Sequence, residues 1–176
     1  VTEFGGFQVL KHLEFRSLGE EDGLVSAAVP GSVSVRSRDG VGLERDMLFT
    51  TGRRRVFDAV VHVGQWWPHR VHHQARVVIE ARVGGRFFED WGDGCGVLYG
   101  QLEVMAPPSR LCIRGPLGLA GPLQIVWSML FSEPEPHQTL LHATHHFVGV
   151  PERTLREDVI RGLDEMYLAL NGYLQR

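Results

Sequence analysis

Nine histidines punctuate a chain of 176 residues, and one of them stands in an apolar setting. His145 follows Leu141 and Ala143 and precedes Phe147 at every second position, the period of a strand with one buried face. A neutral imidazole on that face can donate to a ligand carbonyl, or act as a general acid or base near neutral pH. The plainer reading is a core histidine satisfied by a buried hydroxyl. His142 and His146 take the opposite face. His69, His72 and His73 follow Trp66-Trp67-Pro68. Their spacing supplies two ligands on one helical turn, whereas a metal site needs three or four convergent donors. The acids that would have to complete it, Asp90 and Asp93, are distant in sequence. A solvated loop is expected there, with no metal and no other cofactor.

The aromatic residues form the second candidate set. Trp66, Trp67, Phe87, Trp91, Tyr99, Trp127 and Tyr167, with Met129, offer large apolar contact area and flat faces for a planar ligand. Trp127 and Met129 belong to the alternating row Leu123, Ile125, Trp127, Met129, Phe131. Tyr99 shares strand parity with Gln101 and Glu103, which points it toward solvent. Other chemistries lack support. Gly84-Gly85 has no following Lys-Ser/Thr and no helix to hold a phosphate. Ser128 and Ser132 lack the Gly-x-Ser-x-Gly setting of a hydrolase nucleophile. Arg53-Arg54-Arg55 opens a helix, a poor place for cations in its dipole, and reads as a solvated face, with an anionic ligand or partner as the alternative.

Composition narrows the classes further. Hydrophobic residues are 43% and charged residues 22%, ordinary for a globular domain with a core. Net charge is −3 and the pI about 6.3, so no overall basic field draws nucleic acid or an anionic membrane. Lys11 is the single lysine among 18 basic residues, a bias expected from a GC-rich, bacterial genome. Cys95 and Cys112 have no metal spacing, and a reduced, cytoplasmic setting is expected. No apolar run reaches transmembrane length, and no signal peptide is legible at the start.

These side chains need elements to hold them. The run Ala81 to Gly94 organises the rest: two strand-like pieces meet at Gly84-Gly85, and Asp93-Gly94 then signals a hairpin. Alternation predicts strands at Leu43 to Thr50, Val77 to Ala81, Arg86 to Asp90, Cys95 to Val104, Arg110 to Gly115, Leu123 to Phe131 and Thr139 to Gly149. Thr50 or Thr51 is expected to cap a helix running from near Gly52 to about Val63, closed by Gly64. Val159, Leu163, Met166, Tyr167, Leu170 and Leu174 recur at three- and four-residue spacing, predicting a long amphipathic helix from Arg153 to about Gln175. Residues 1 to 40 read as an N-terminal extension with turns at Phe4-Gly5-Gly6-Phe7 and Glu20-Glu21-Asp22-Gly23 and a strand through Val33 and Val35. It is expected to pack on the main domain, 41–176, or on a second copy, making a homodimer.

This order of elements is that of the helix-grip fold. Phe57-Asp58-Ala59, Trp66-Trp67-Pro68, Glu80-Ala81-Arg82-Val83-Gly84-Gly85-Arg86-Phe87 and Gly100-Gln101-Leu102-Glu103-Val104-Met105-Ala106-Pro107-Pro108-Ser109-Arg110-Leu111 together resemble the SRPBCC (START, birch-pollen-allergen-like) superfamily. Within it they resemble the homologues of the activator of the 90-kDa heat-shock-protein ATPase. Thr139 to Gly149 is similar to that subfamily's last strand. The resemblance implies an α+β fold, a curved antiparallel sheet wrapped around the C-terminal helix with a hydrophobic cavity between them. It implies a binder of a hydrophobic, aromatic or polycyclic small molecule, for transport, sequestration or antibiotic self-resistance. The alternatives are an enzyme of the polyketide cyclase or aromatase kind, with His145 as acid/base and Tyr99 or Tyr167 polarising a carbonyl, and a co-chaperone-like interaction module.

Overall fold

The computed structural model describes residues 3–4, 7–10, 40–119, 123–148 and 153–176, with side chains from residue 42 onward outside 120–122 and 149–156. The strand expected through Val33 and Val35, and the turn at Glu20-Glu21-Asp22-Gly23, lie outside the described residues. Nine strands are described: β1 (Glu3–Phe4), β2 (Phe7–Leu10), β3 (Gly40–Phe49), β4 (Arg76–Ile79), β5 (Arg86–Gly92), β6 (Cys95–Ala106), β7 (Arg110–Gly115), β8 (Gln124–Ser132) and β9 (Thr139–Val148). All pairings are antiparallel, in the order β1-β2-β3-β9-β8-β7-β6-β5-β4. Strands β4 to β9 form a meander, and β3 returns to pair along the whole of β9. The β1–β2 hairpin, with Phe4 opposite Phe7, then adds to the free edge of β3. The described part of the N-terminal extension therefore continues the sheet.

Period-two burial puts one face of each strand inward. Along β8 the buried residues are Ile125, Trp127, Met129 and Phe131; along β9 they are Thr139, Leu141, Ala143, His145 and Phe147. The Asp93-Gly94 turn joins β5 to β6 with positive φ at both residues, 53° and 77°, the conformation a two-residue hairpin requires. In β6 the alternation breaks. Phe88 pairs with Leu98 but Phe87 with Gly100, so Tyr99 and Gly100 form a bulge. A Cβ on Gly100 would come within 2.7 Å of the Arg114 carbonyl oxygen, which restricts this position to glycine. The bulge corrects the expectation for Tyr99: its ring turns inward and only 2% of it is exposed.

Two helices pack on the inner face. Helix α1 (Arg53–Val61) presents Val56, Phe57, Ala59 and Val60, with Phe57 edge-on to Phe131 at 5.2 Å. The cap expected from Thr50 or Thr51 is not used. Gly52 is the N-cap and carries no side-chain bond, while the Thr51 carbonyl accepts from Thr139 Oγ1 at 2.6 Å. Nor does Gly64 close α1, which stops at Val61 and gives way to a 3-10 turn over Val63–Gln65. Helix α2 (Arg153–Leu174) lays Leu163, Met166, Tyr167, Leu170 and Leu174 into the bowl, as its spacing predicts. Burying each such side chain stabilises the fold by about 2 kcal/mol, which fixes the helix in place.

Candidate functional site

The bowl of the sheet and the buried stripe of α2 enclose an aromatic interior. Trp66 and Trp67, just after the 3-10 turn, point into it, 7% and 5% exposed. Both indole N–H groups are already bonded: Trp66 Nε1 donates to the Ala59 carbonyl and Trp67 Nε1 to the His69 carbonyl, each at 2.7 Å. Trp67 is central. Its ring centroid lies 5.0 Å from Phe87, 5.8 Å from Tyr99 and 6.5 Å from Trp127. Met129 is buried beside them on β8. Of the nine residues singled out from the sequence, eight (Trp66, Trp67, Phe87, Tyr99, Trp127, Met129, His145 and Tyr167) are buried in this one interior. Trp91 is not among them. It sits beyond Glu89 at the rim, 44% exposed, its ring 6.0 Å from that of His72.

The eight buried side chains expose 0–7% of their surface, so they rest on one another and on their neighbours. A cleft of about 550 Å³ lies elsewhere, on the surface at the start of α1, lined by Arg53, Arg54, Arg55, Asp58, Pro108 and Glu133. Arg54 there is paired with Asp58 at 2.8 Å.

Among the described residues four polar or charged side chains are buried, Arg45, Glu89, Thr139 and His145, and Glu89 and His145 differ most in their settings. Glu89, on β5 with none of its surface exposed, accepts from the Val71 N–H at 2.8 Å, the His72 N–H at 2.5 Å, Trp91 Nε1 at 2.9 Å and Tyr99 Oη. Burial pushes its carboxyl up, but the bonds from Tyr99, His72, Trp91 and Val71 outweigh it and hold the group below the usual carboxylate range. Tyr99 Oη also lies 3.0 Å from the His69 carbonyl oxygen. Burial, then the Glu89 carboxylate, pushes its phenol up. The loop after Trp67 is thus tied to the sheet through Glu89, and to α2 through His69 Nε2 and the Gly162 carbonyl at 2.7 Å.

His145, on β9, lies stacked on Trp127 at 5.5 Å with none of its surface exposed. Trp127 Nε1 donates to Tyr167 Oη at 3.1 Å, and Tyr167 Oη lies 3.3 Å from His145 Nε2. Among the described residues His145 Nδ1 has no hydrogen-bond partner. Burial, with lesser contributions from Arg45 and His146, pushes its pKa down to about 3, so the ring is neutral at physiological pH. Burial pushes the Tyr167 phenol up. Close by, Arg45 on β3 is 7% exposed and bonds Asp164 of α2 at 3.1 Å.

Sequence reasoning missed Glu89, Arg45 and Asp164. A signal existed for two of them: Glu89 shares parity with Phe87, and Arg45 shares it with Leu43 and Met47, so a charge was bound to face inward on each strand. Of the histidine sets, His69 and the His72 N–H tie down the loop just described, and His142 Nδ1 meets Asp46 Oδ1 on the outer face at 2.6 Å. Among the described residues no three His, Cys, Asp or Glu side chains converge as a metal site, and no helix is long and apolar enough to cross a membrane.

No family model matches the sequence, and comparison with curated proteins finds no match. Solved structures do match. CalU16 from Micromonospora echinospora is 19% identical, with a TM-score of 0.55 over 77% of this chain and 74% of that one. Ara h 8.0201 is 15% identical, with a TM-score of 0.57 over 78% of this chain and 99% of that one. DynU16, a protein of the dynemicin biosynthetic locus, is 18% identical, with a TM-score of 0.55 over 76% of this chain and 47% of that one. At such identities the likeness shows the fold. The chain has the helix-grip fold, a curved antiparallel sheet wrapped around a C-terminal helix.

Proposed function

We propose that this protein binds a hydrophobic, aromatic small molecule between the concave face of its sheet and α2. The observation that carries this reading is the unpaired Nδ1 of His145, a polar handle in an interior otherwise built from aromatic and aliphatic side chains. A buried polar atom left without a partner costs about 1–3 kcal/mol. A guest that pairs with it recovers that cost. Apolar burial would add roughly 25 cal/mol per Å² before the costs of ordering. The interior between the sheet and α2 is lined by the chain's own aromatic side chains, so binding requires those side chains to shift aside, a bound form drawn from a minor state. The polar ties described to α2 are Arg45 to Asp164, His69 to the Gly162 carbonyl and to Glu165, Arg55 to the Leu174 carbonyl, and Tyr167 to Trp127 and His145. The kinship in fold with a protein of the dynemicin locus is consistent with a polycyclic guest and with sequestration or self-resistance.

A cyclase or aromatase reading is less well served. Burial lowers the pKa of His145 to about 3, so at neutral pH it carries no acidic imidazolium proton and is a weak base. The free thiols Cys95 and Cys112 accord with a reducing, cytoplasmic setting.

Native mass spectrometry of the purified chain with pyrene tests the reading, together with tryptophan fluorescence. A one-to-one complex and stoichiometric quenching of the buried indoles are expected. If neither pyrene nor a co-purified molecule is retained, and the indoles do not respond, the interior is a core and not a site.

A further inference from the structure

The direction of the hydrogen bonds at His145 specifies the guest more narrowly. An indole N–H can only donate, so Trp127 Nε1 gives its proton to Tyr167 Oη at 3.1 Å. Two arrangements remain for the 3.3 Å contact between Tyr167 Oη and His145 Nε2. If Nε2 carried the imidazole proton, the phenol proton and the Nδ1 lone pair would both be buried unpaired. If the phenol donates to Nε2, only one group is left over, the N–H at Nδ1. The second arrangement is the cheaper one. The chain Trp127 to Tyr167 to His145 therefore ends in an N–H that needs an acceptor.

The charges around that N–H decide which acceptor. His145 is neutral. Arg45, its diagonal neighbour across the β3–β9 pairing, is engaged by Asp164 at 3.1 Å and by the Glu44 carbonyl at 3.1 Å. No uncompensated cation is described in this interior, and an anion entering it would meet the Asp164 carboxylate without a free counter-charge. We propose that the site takes a neutral aromatic carbonyl compound, a ketone, quinone or amide, whose oxygen accepts from His145 Nδ1–H, and that it discriminates against the corresponding carboxylate. This rests on the binding reading above.

Three naphthalenes substituted at one ring position test it by calorimetry on the full chain: acetylnaphthalene, ethylnaphthalene and naphthoate. Acetylnaphthalene is expected to bind about tenfold more tightly than ethylnaphthalene, the worth of one buried hydrogen bond, and naphthoate more weakly than either. In His145→Leu the advantage of the acetyl compound over ethylnaphthalene disappears. The comparison among the three probes in the unaltered protein stands even if the variant fails to fold. Equal binding of the acetyl and ethyl compounds, or tightest binding of naphthoate, overturns the carbonyl assignment and leaves the binding reading intact. If none of the three binds, the binding reading fails and takes the assignment with it.

Discussion

Glu89 and His145 face inward from β5 and β9, each with none of its surface exposed, and differ in how fully they are paired. Glu89 gathers four donors, two of them from the backbone of the loop that follows Trp67. Its carboxylate has no capacity to spare for a visitor, and its work is to pin that loop. His145 is bonded on one nitrogen and bare on the other. A saturated buried polar group is a structural joint, whereas a half-saturated one is a place where something can dock. The same contrast separates a residue whose loss unfolds the protein from one whose loss costs it a ligand.

The sharpest way to break that contrast is to replace each by leucine. Glu89→Leu removes the acceptor that four donors share in the interior, and urea unfolding should show a loss of about 3 kcal/mol. His145→Leu removes the unpaired N–H but also the acceptor of Tyr167, so its stability should stay within about 1 kcal/mol of the parent. If the two variants proved equally damaging, His145 would be a joint like Glu89.

Acid separates them as well. The folded pKa of His145, about 3, lies below its unfolded value of 6.5, so below 6.5 the unfolded chain binds a proton that the folded one does not. Stability from this residue is complete above the unfolded value and declines as pH falls toward 3, by about 1.4 kcal/mol per unit. Glu89 is also depressed, but its contribution is lost only below the ordinary glutamate range, near 4.3. Between pH 7 and pH 5 the parent should therefore lose roughly 2 kcal/mol more than His145→Leu. Equal slopes would mean that water reaches the imidazole.

Tyr167→Phe is a smaller cut. It leaves Trp127 Nε1 without its acceptor and releases His145 Nε2, at a cost of about 1 kcal/mol in urea unfolding. With Nε2 free, the imidazole proton can sit on either nitrogen, and the preference for acetylnaphthalene over ethylnaphthalene should shrink without vanishing. An unchanged preference would show that Tyr167 does not set the tautomer.

The fold was legible because its signals are local. Period-two alternation marked each strand of the meander, the Asp93-Gly94 pair marked its hairpin, and the three-four spacing from Val159 to Leu174 marked α2. The site was legible in part. Parity placed His145 and Trp127 inside, and the same rule misplaced Tyr99 because the bulge with Gly100 shifts the register by one residue. A bulge depends on the backbone of the neighbouring strands, here the irregular pairing with β5 and the Arg114 carbonyl of β7 against Gly100, which no local pattern carries. The pairing of Arg45 with Asp164 joins residues 119 positions apart, and only the closed bowl brings them together. Whether α2 rests on its own core or on a guest is likewise a property of packing, not of periodicity.

Trp91 gives the smallest effect and the finest distinction. By parity it continues the inward row of Phe87 and Glu89, yet it stands past the end of the bowl, 44% exposed, with its Nε1 on Glu89 at 2.9 Å. Trp91→Phe keeps an aromatic ring at the rim and withdraws one of four donors from a carboxylate that retains three. Because the bond is half open to water, the loss should be about 0.5 kcal/mol. The affinity for acetylnaphthalene should not change, because the proposed contact lies at the far strand, β9. A fall in affinity beyond tenfold would move the guest from the interior to the rim, and Glu89, which holds both Trp91 and the histidine loop, would then become part of a binding site.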